Sequence, residues 1–334
     1  MLQGKATWNF QNPATIISNG TVGGPFEKQG NINKDFDSFF SDQWMKEKSF
    51  EQAHRLLIEE ASDIALKKAN LKTSDIHFFL HGDLINQITP TSFAARSLEI
   101  PYIGLFSACA TSMEGLALSA LLTSGGYAEK VLTGAASHNS AVEKQFRYPT
   151  EYGSQKPDTS QWTVTGAGVA IVASKGEGPK ITSATIGKVV DKGLTDPFNM
   201  GGAMAPAAFD TISQHLQDRN IDINYYDYIL TGDLAKIGRR VCLDLLKENN
   251  FQVVEEKFID CGLTIYNKDQ PVFAGASGPA CSAIVTYGHF LKKLRNKECN
   301  RILVVATGAL LSPLTVQQKQ SIPCIAHAVS IENN

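Results

Sequence analysis

The sequence predicts an α/β protein built from two similar halves. Three observations carry this. Apolar residues alternate between helical spacing and short continuous runs. A Gly-Asp-Leu turn at 82–84 returns at 232–234, 150 positions later. The length, 334 residues, is about twice the ~150 residues of a single-domain prior.

In chain order, Phe50, Ala53, Leu57, Ala61, Ile64, Ala65 and Ala69 recur at three- and four-residue steps and predict an amphipathic helix over 50–69. Residues 76–80, Ile-His-Phe-Phe-Leu, form a short apolar run ending at Gly82-Asp83, as a buried strand does. A second strand follows Pro101 over 102–106. Met113, Leu116, Ala117, Ala120 and Leu121 describe a helix from 112, ended by Gly125-Gly126 through a left-handed cap position. Residues 130–134 are the next strand. The second half repeats the plan, with a helical stretch over 208–216, a strand before Gly232-Asp233-Leu234, a small-residue turn over 274–282 opening a helix, and a strand over 301–306. The halves are expected at 1–176 and 177–334, divided in the loop-forming 175–180 segment. Such alternation implies parallel strands joined by right-handed crossovers.

Composition excludes several classes. Hydrophobic residues at 43% and charged residues at 19% supply a dry core. Thirty-one basic against 33 acidic residues leave a formal charge of −2, with no general field for nucleic acid or an anionic membrane. The six cysteines contain no C-x-x-C pair, against a zinc knuckle or disulfide framework. Residues 1–11 lack signal-peptide order, so a reducing cytosolic compartment is expected. Residues 270–291 carry no Asp, Glu, Lys or Arg but contain Pro271, Pro279 and several Gly, reading as a buried loop and helix in place of a membrane span.

Cys109 lies at a strand-to-helix turn facing a helix amino end, a position that depresses a thiol pKa; the competing reading is a small buried hydrophobe. His138, with Asn139, should emerge at the same sheet edge, making thiol and imidazole neighbours, the minimum for an activated nucleophile; the alternative is a structural histidine in a polar turn. Asp83 and Asp233 occupy corresponding turns. They either hold those turns or face a common cleft as oxygen ligands for a hard cation, although neither sits in a D-x-D-x-D-G loop. Arg147 offers a planar fork for a carboxylate, or forms a surface ion pair. Ser277 belongs to the small-residue turn of the second half. Trp162 to Ala170 lacks G-x-G-x-x-G order and runs into a strand, so it is no dinucleotide fingerprint. Lys236, Arg239 and Arg240 read as a solvated helix face.

The duplicated halves, the helix opened by Ala108-Cys109 and the Gly275-Ala276-Ser277-Gly278 turn resemble the thiolase and ketoacyl-synthase superfamily. That resemblance implies a thiolase-like fold, layered α-β-α-β-α, and an acylated cysteine supported by His and Asn, or two His, from the second half. Here the corresponding strand end reads Thr231-Gly232-Asp233-Leu234, and Gln270-Pro271-Val272-Phe273-Ala274 stands where thiolases carry Gly-His-Pro. The second-half catalytic residues are missing.

Within the superfamily, Gly82-Asp83-Leu84-Ile85-Asn86-Gln87, Phe106-Ser107-Ala108-Cys109-Ala110-Thr111-Ser112, Ser137-His138-Asn139 with Glu143, Gln145-Phe146-Arg147-Tyr148-Pro149 and Thr163-Val164-Thr165-Gly166-Ala167-Gly168 resemble a stage V sporulation family of endospore-forming bacteria. The resemblance implies a non-enzymatic protein that binds dipicolinic acid, free or as its calcium chelate, for uptake into the developing spore. It implies no cofactor, calcium only as part of the ligand, and no metal held by the protein alone. The implied partners are other stage V proteins of an uptake complex and a second copy of the chain, with a soluble, cytoplasmic protein held peripherally at the spore inner membrane. The expected ligand set is Asp83, Cys109, His138, Asn139, Arg147, Asp233 and Ser277. The competing class is an acyltransferase or condensing enzyme with Cys109 as nucleophile and His138 as base.

Overall fold

The computed structural model describes residues 1–147 and 155–333; Tyr148 and Pro149, in the segment read beside Arg147, lie outside them. Strand β1 (Thr7–Gly23) leads into helix α1 (Phe50–Lys68), whose N-cap Ser49 accepts a hydrogen bond from the Gln52 N–H at 3.2 Å. Its apolar stripe packs on β1, on strands β4 (Lys130–Ser137) and β5 (Gly166–Ala173) and on helix α2 (Thr89–Leu98), while strand β2 is Phe78–Gly82. Edge strand β3 is Tyr102–Gly104. Helix α3 (Thr111–Ser124) is buried on almost every side and ends where Gly126 takes φ +77, the left-handed position expected of the glycine pair. Helix α4 (Asn139–Phe146) follows β4.

After the connection at 174–179 comes β6 (Lys180–Ile186). Helix α5 (Met200–Arg219), β7 (Tyr228–Thr231), α6 (Ala235–Glu248) and β8 (Phe258–Asp260) follow. Helix α7 runs through Pro279–Ile284, a π turn Val285–Phe290 and Leu291–Arg295. Strand β9 (Arg301–Ala309), the short helix α8 (Pro313–Gln317) and β10 (Cys324–Glu332) come last. Residues 270–291 form the expected loop and buried helix. Among the described residues no helix is long and apolar enough to cross a membrane.

The strands lie in the order β8-β7-β9-β10-β6-β1-β5-β4-β2-β3. Each half, its strands counted along the chain, has the same order 3-2-4-5-1, and the halves join through the antiparallel β1–β6 pair. Helices α3 and α7 lie between the two wings, with α1 and α2 outside the first and α5 and α6 outside the second. This is the layered α-β-α-β-α arrangement. Among these ten strands, pairing is parallel only within the outer three of each half. The expectation of parallel pairing fails at β5 and β10 because their connections leave and re-enter at one sheet edge: Ser137 pairs opposite Gly166, and Ala309 opposite Cys324. The loops after β2, β4, β7 and β9 consequently converge on the edge where Cys109 stands.

Candidate functional site

Cys109 sits in a backbone elbow. Ala108 takes φ +49, the Ser107 N–H bonds Thr111 Oγ1 at 3.0 Å, and Thr111 Oγ1–H bonds the Ala108 carbonyl at 2.7 Å. The elbow rests on β9 at Gly308, where a β-carbon would stand 2.2 Å from the Ser107 carbonyl oxygen. The thiol borders a cavity of about 210 Å³. Its walls are Phe106, Phe146, Phe198 and aliphatic side chains, with Ser277 beside the thiol and Arg147 as the cation among the described lining residues. A larger, shallower cavity of about 710 Å³ shares Leu84, Phe106, Phe146, Leu311 and Pro313 with it and leads outward.

Behind the thiol lies Asp233, fully buried. Its Oδ1 accepts from Thr307 Oγ1 at 2.9 Å, and its Oδ2 accepts from the Gly278 N–H at 3.0 Å and Ser277 Oγ at 3.2 Å. Burial pushes this carboxyl up to about 7, against the opposing pull of the Cys109 thiol, Thr307 and the Gly278 N–H. Burial and then the Asp233 charge push the Cys109 thiol well above its ordinary value; the Gly278 N–H and Ser277 offset only part. At neutral pH Cys109 is a thiol, although the amino end of α3 favours a thiolate. All six cysteines are free and buried.

Cys109, Arg147 and Ser277 thus meet in one cavity, with Asp233 immediately behind. The other expected residues lie apart. Asp83 spends both oxygens on its own loop, accepting from the Ile85 N–H at 2.7 Å and from the Thr91 N–H and Oγ1–H at 3.0 and 2.5 Å. Burial raises it to about 6. It seats Leu84 and the start of α2, and neither it nor Asp233 lines the two cavities described above. His138 emerges at the expected sheet edge, but its ring turns away from the thiol: Nδ1 caps α4 by accepting from the Ala141 N–H at 3.4 Å, and Nε2–H donates to the Gln43 carbonyl at 2.8 Å. Asn139 donates its N–H to Thr165 Oγ1 at 3.0 Å and its amide to the Thr163 carbonyl at 3.2 Å. Both residues anchor α4, the helix leading to Arg147. Among the described residues no three His, Cys, Asp or Glu side chains are placed to hold a metal ion. The sequence reading missed Thr307, Gly308, Phe198 and Lys156. None had a local signal, since each reaches the site from a strand or loop with no chemical motif of its own.

The profile of the stage V sporulation protein AD family matches residues 4–332. The chain belongs to that family. Stage V sporulation protein AD of Bacillus subtilis (strain 168) is 51% identical over 331 residues, covering 99% of this chain and 98% of that protein. The fold is similar to 3-oxoacyl-[acyl-carrier-protein] synthase III of Aquifex aeolicus VF5, at TM-score 0.59 and 14% identity over 96% of this chain and 100% of that one. It is also similar to cerulenin-bound OleA of Xanthomonas campestris, at TM-score 0.62 and 15% identity over 98% and 100%. The thiolase-like fold expected from the sequence is therefore present, in a chain of the sporulation family.

The anchor of α4 is also a proton-sensitive spot. His138 packs near His54, and both rings are buried, with Glu51 the acid whose charge acts on both and His81 a further buried imidazole that feels His54. Burial pulls His54 down from 6.5 to about 4. Its neutral ring contributes full stability above pH 6.5 and loses it as pH falls toward 4, about 3 kcal/mol over that window. His54→Leu is expected to remove this loss. Between pH 7 and 5 its urea midpoint should fall less than that of the unaltered protein, by the equivalent of about 2 kcal/mol. Parallel falls would show that His54 does not titrate in this window.

Proposed function

We propose that this protein serves sporulation as a non-enzymatic binder of dipicolinic acid, free or as its calcium chelate, for uptake into the developing spore. The observation that carries this is the Cys109 cavity: aromatic and aliphatic walls, one guanidinium at the side, and a thiol held protonated on the floor. A planar pyridine with two carboxylates needs an apolar slot and at least one forked cationic donor, and Arg147 supplies the fork. Ser277 offers a hydroxyl beside it. His138, Asn139 and Asp83 serve by fixing α4 and Leu84 around the slot. Calcium, where it accompanies the ligand, arrives chelated by the ligand. The family name supports the sporulation role. Other stage V proteins and a second copy of the chain are the partners we propose, and through them a peripheral place at the spore inner membrane.

Calorimetry with dipicolinate tests the reading. Arg147→Ala should weaken binding by about tenfold or more, the worth of a charge-assisted contact of ~1.5 kcal/mol or more. Unchanged affinity would remove Arg147 from the site. The competing reading, acyl transfer through Cys109, draws on the thiol's place before α3. The Asp233 carboxylate beside that thiol and the His138 ring, spent on Ala141 and Gln43, speak against it.

A further inference from the structure

Arg147 does not stand at the cavity alone. Glu143, one turn back on α4, takes the Arg147 guanidinium on Oε1, and the same oxygen takes the Lys156 ammonium at 2.9 Å. All three side chains are withdrawn from water, with exposures of 14% for Arg147, 16% for Glu143 and 6% for Lys156. Each cation also faces an aromatic ring: Arg147 Cζ lies 5.6 Å from the centre of Phe198, and Lys156 Nζ lies 5.2 Å from that of Trp162. Two cations therefore share one carboxylate. Burial lowers the Lys156 ammonium from its ordinary value, the Arg147 charge lowers it further, and Glu143 partly restores it.

The arithmetic of this cluster matters because it is dry. Arg147 and Glu143 by themselves would form a closed, neutral pair, and an incoming carboxylate would have to displace Glu143. With Lys156 on the same oxygen, the cluster keeps one positive charge uncompensated among the described residues, and its member at the cavity wall is Arg147. A buried charge lacking a full partner is costly, and a bound anion relieves that cost.

We propose that Lys156 is a positioning residue of the anion site: by engaging Glu143 it leaves the Arg147 charge available to the carboxylate of an aromatic acid in the cavity. The net charge of the three-residue cluster, and not Arg147 alone, then sets affinity and preference between singly and doubly charged ligands. This rests on reading the Cys109 cavity as an anion site.

The test is a charge ladder: the unaltered protein, Lys156→Met, Glu143→Gln and the double variant, titrated calorimetrically with dipicolinate, isophthalate and benzoate. Lys156→Met makes the cluster neutral and should weaken all three ligands about tenfold. Glu143→Gln adds a positive charge and should tighten the two dianions more than benzoate. The double variant returns to the original charge and should recover to within about threefold of the unaltered protein. If Lys156 serves only to pack on Trp162, the double variant stays as weak as Lys156→Met, and the proposal falls; four equal affinities overturn it as well. Should Lys156→Met fail to fold, Lys156→Gln replaces it, and the Glu143→Gln arm is independent of either. A ladder followed by isophthalate and benzoate, with no dipicolinate binding, sinks the dipicolinate reading and leaves the role of Lys156 standing. Binding of none of the three to the unaltered protein overturns both.

Discussion

Replacing Asp233 by asparagine is expected to speed alkylation of Cys109 by iodoacetamide at pH 8 by about tenfold or more. The thiol lies before α3, where the helix amino end and the Gly278 N–H both favour a thiolate, and the opposing influences are burial and the Asp233 charge. Asparagine removes the charge while its carbonyl oxygen still accepts from Thr307 or Gly278. The effect has a defined pH course. Asp233 is raised to about 7, so it is mostly protonated below that pH and ionised above it. Its suppression of the thiolate therefore strengthens across the range where a thiol would begin to ionise, and the gap between variant and unaltered protein should widen from pH 6.5 to 8. Intact-mass time courses measure it, with Asp233→Asn/Cys109→Ser assigning the adduct. Equal rates would mean that burial alone silences the thiol.

The same measurement bears on catalysis. With acetyl coenzyme A, the unaltered protein should keep its own mass, since an acyl-enzyme needs a thiolate and a base, and His138 spends its ring on Ala141 and Gln43. An adduct that turns over and disappears in Cys109→Ser would make the protein an enzyme.

How far the site could be read from the sequence follows from where each side chain finds its partners. Asp83 and Asp233 stand in the same Gly-Asp-Leu letters, and nothing local separates them. Asp83 closes on Thr91, eight residues on, whereas Asp233 is satisfied by Gly278 and Thr307, brought near only by the sheet. Helix faces and strand runs were legible because burial imposes their periodicity along the chain. The return directions of β5 and β10 were not, because they depend on the sheet edge at which a long connection ends. His138 was assigned to the correct edge, but a ring at a helix N-cap turns toward the first free N–H, and that N–H belongs to the cap, not the cavity. Arg147 was legible as a fork for carboxylates. The Lys156 that leaves its charge unspent lies nine positions on, across a stretch with no spacing rule to connect them.

The elbow offers the largest expected effect on stability. Gly308→Ala should destabilise the fold by about 3 kcal/mol and weaken whatever ligand binding survives. The new β-carbon would stand 2.2 Å from the Ser107 carbonyl oxygen, 3.1 Å from the Ala110 nitrogen and 3.3 Å from the Ala108 β-carbon. The two closest are backbone atoms, and they belong to the turn that already strains Ala108 into φ +49. No side chain can swing aside, so either β9 retreats or the Cys109 turn opens. Gly126→Ala is the control. That glycine has positive φ, +77, unlike Gly308, and nothing lies within 4 Å of its added carbon, so only backbone strain of about 1 kcal/mol applies. Urea unfolding of both variants separates the explanations. A clear excess for Gly308→Ala places the cost in the contact between β9 of the second half and the cysteine elbow of the first. Equal losses would mean the elbow yields freely, and a cavity floor that yields could not hold Cys109 and Ser277 at a fixed distance from Arg147.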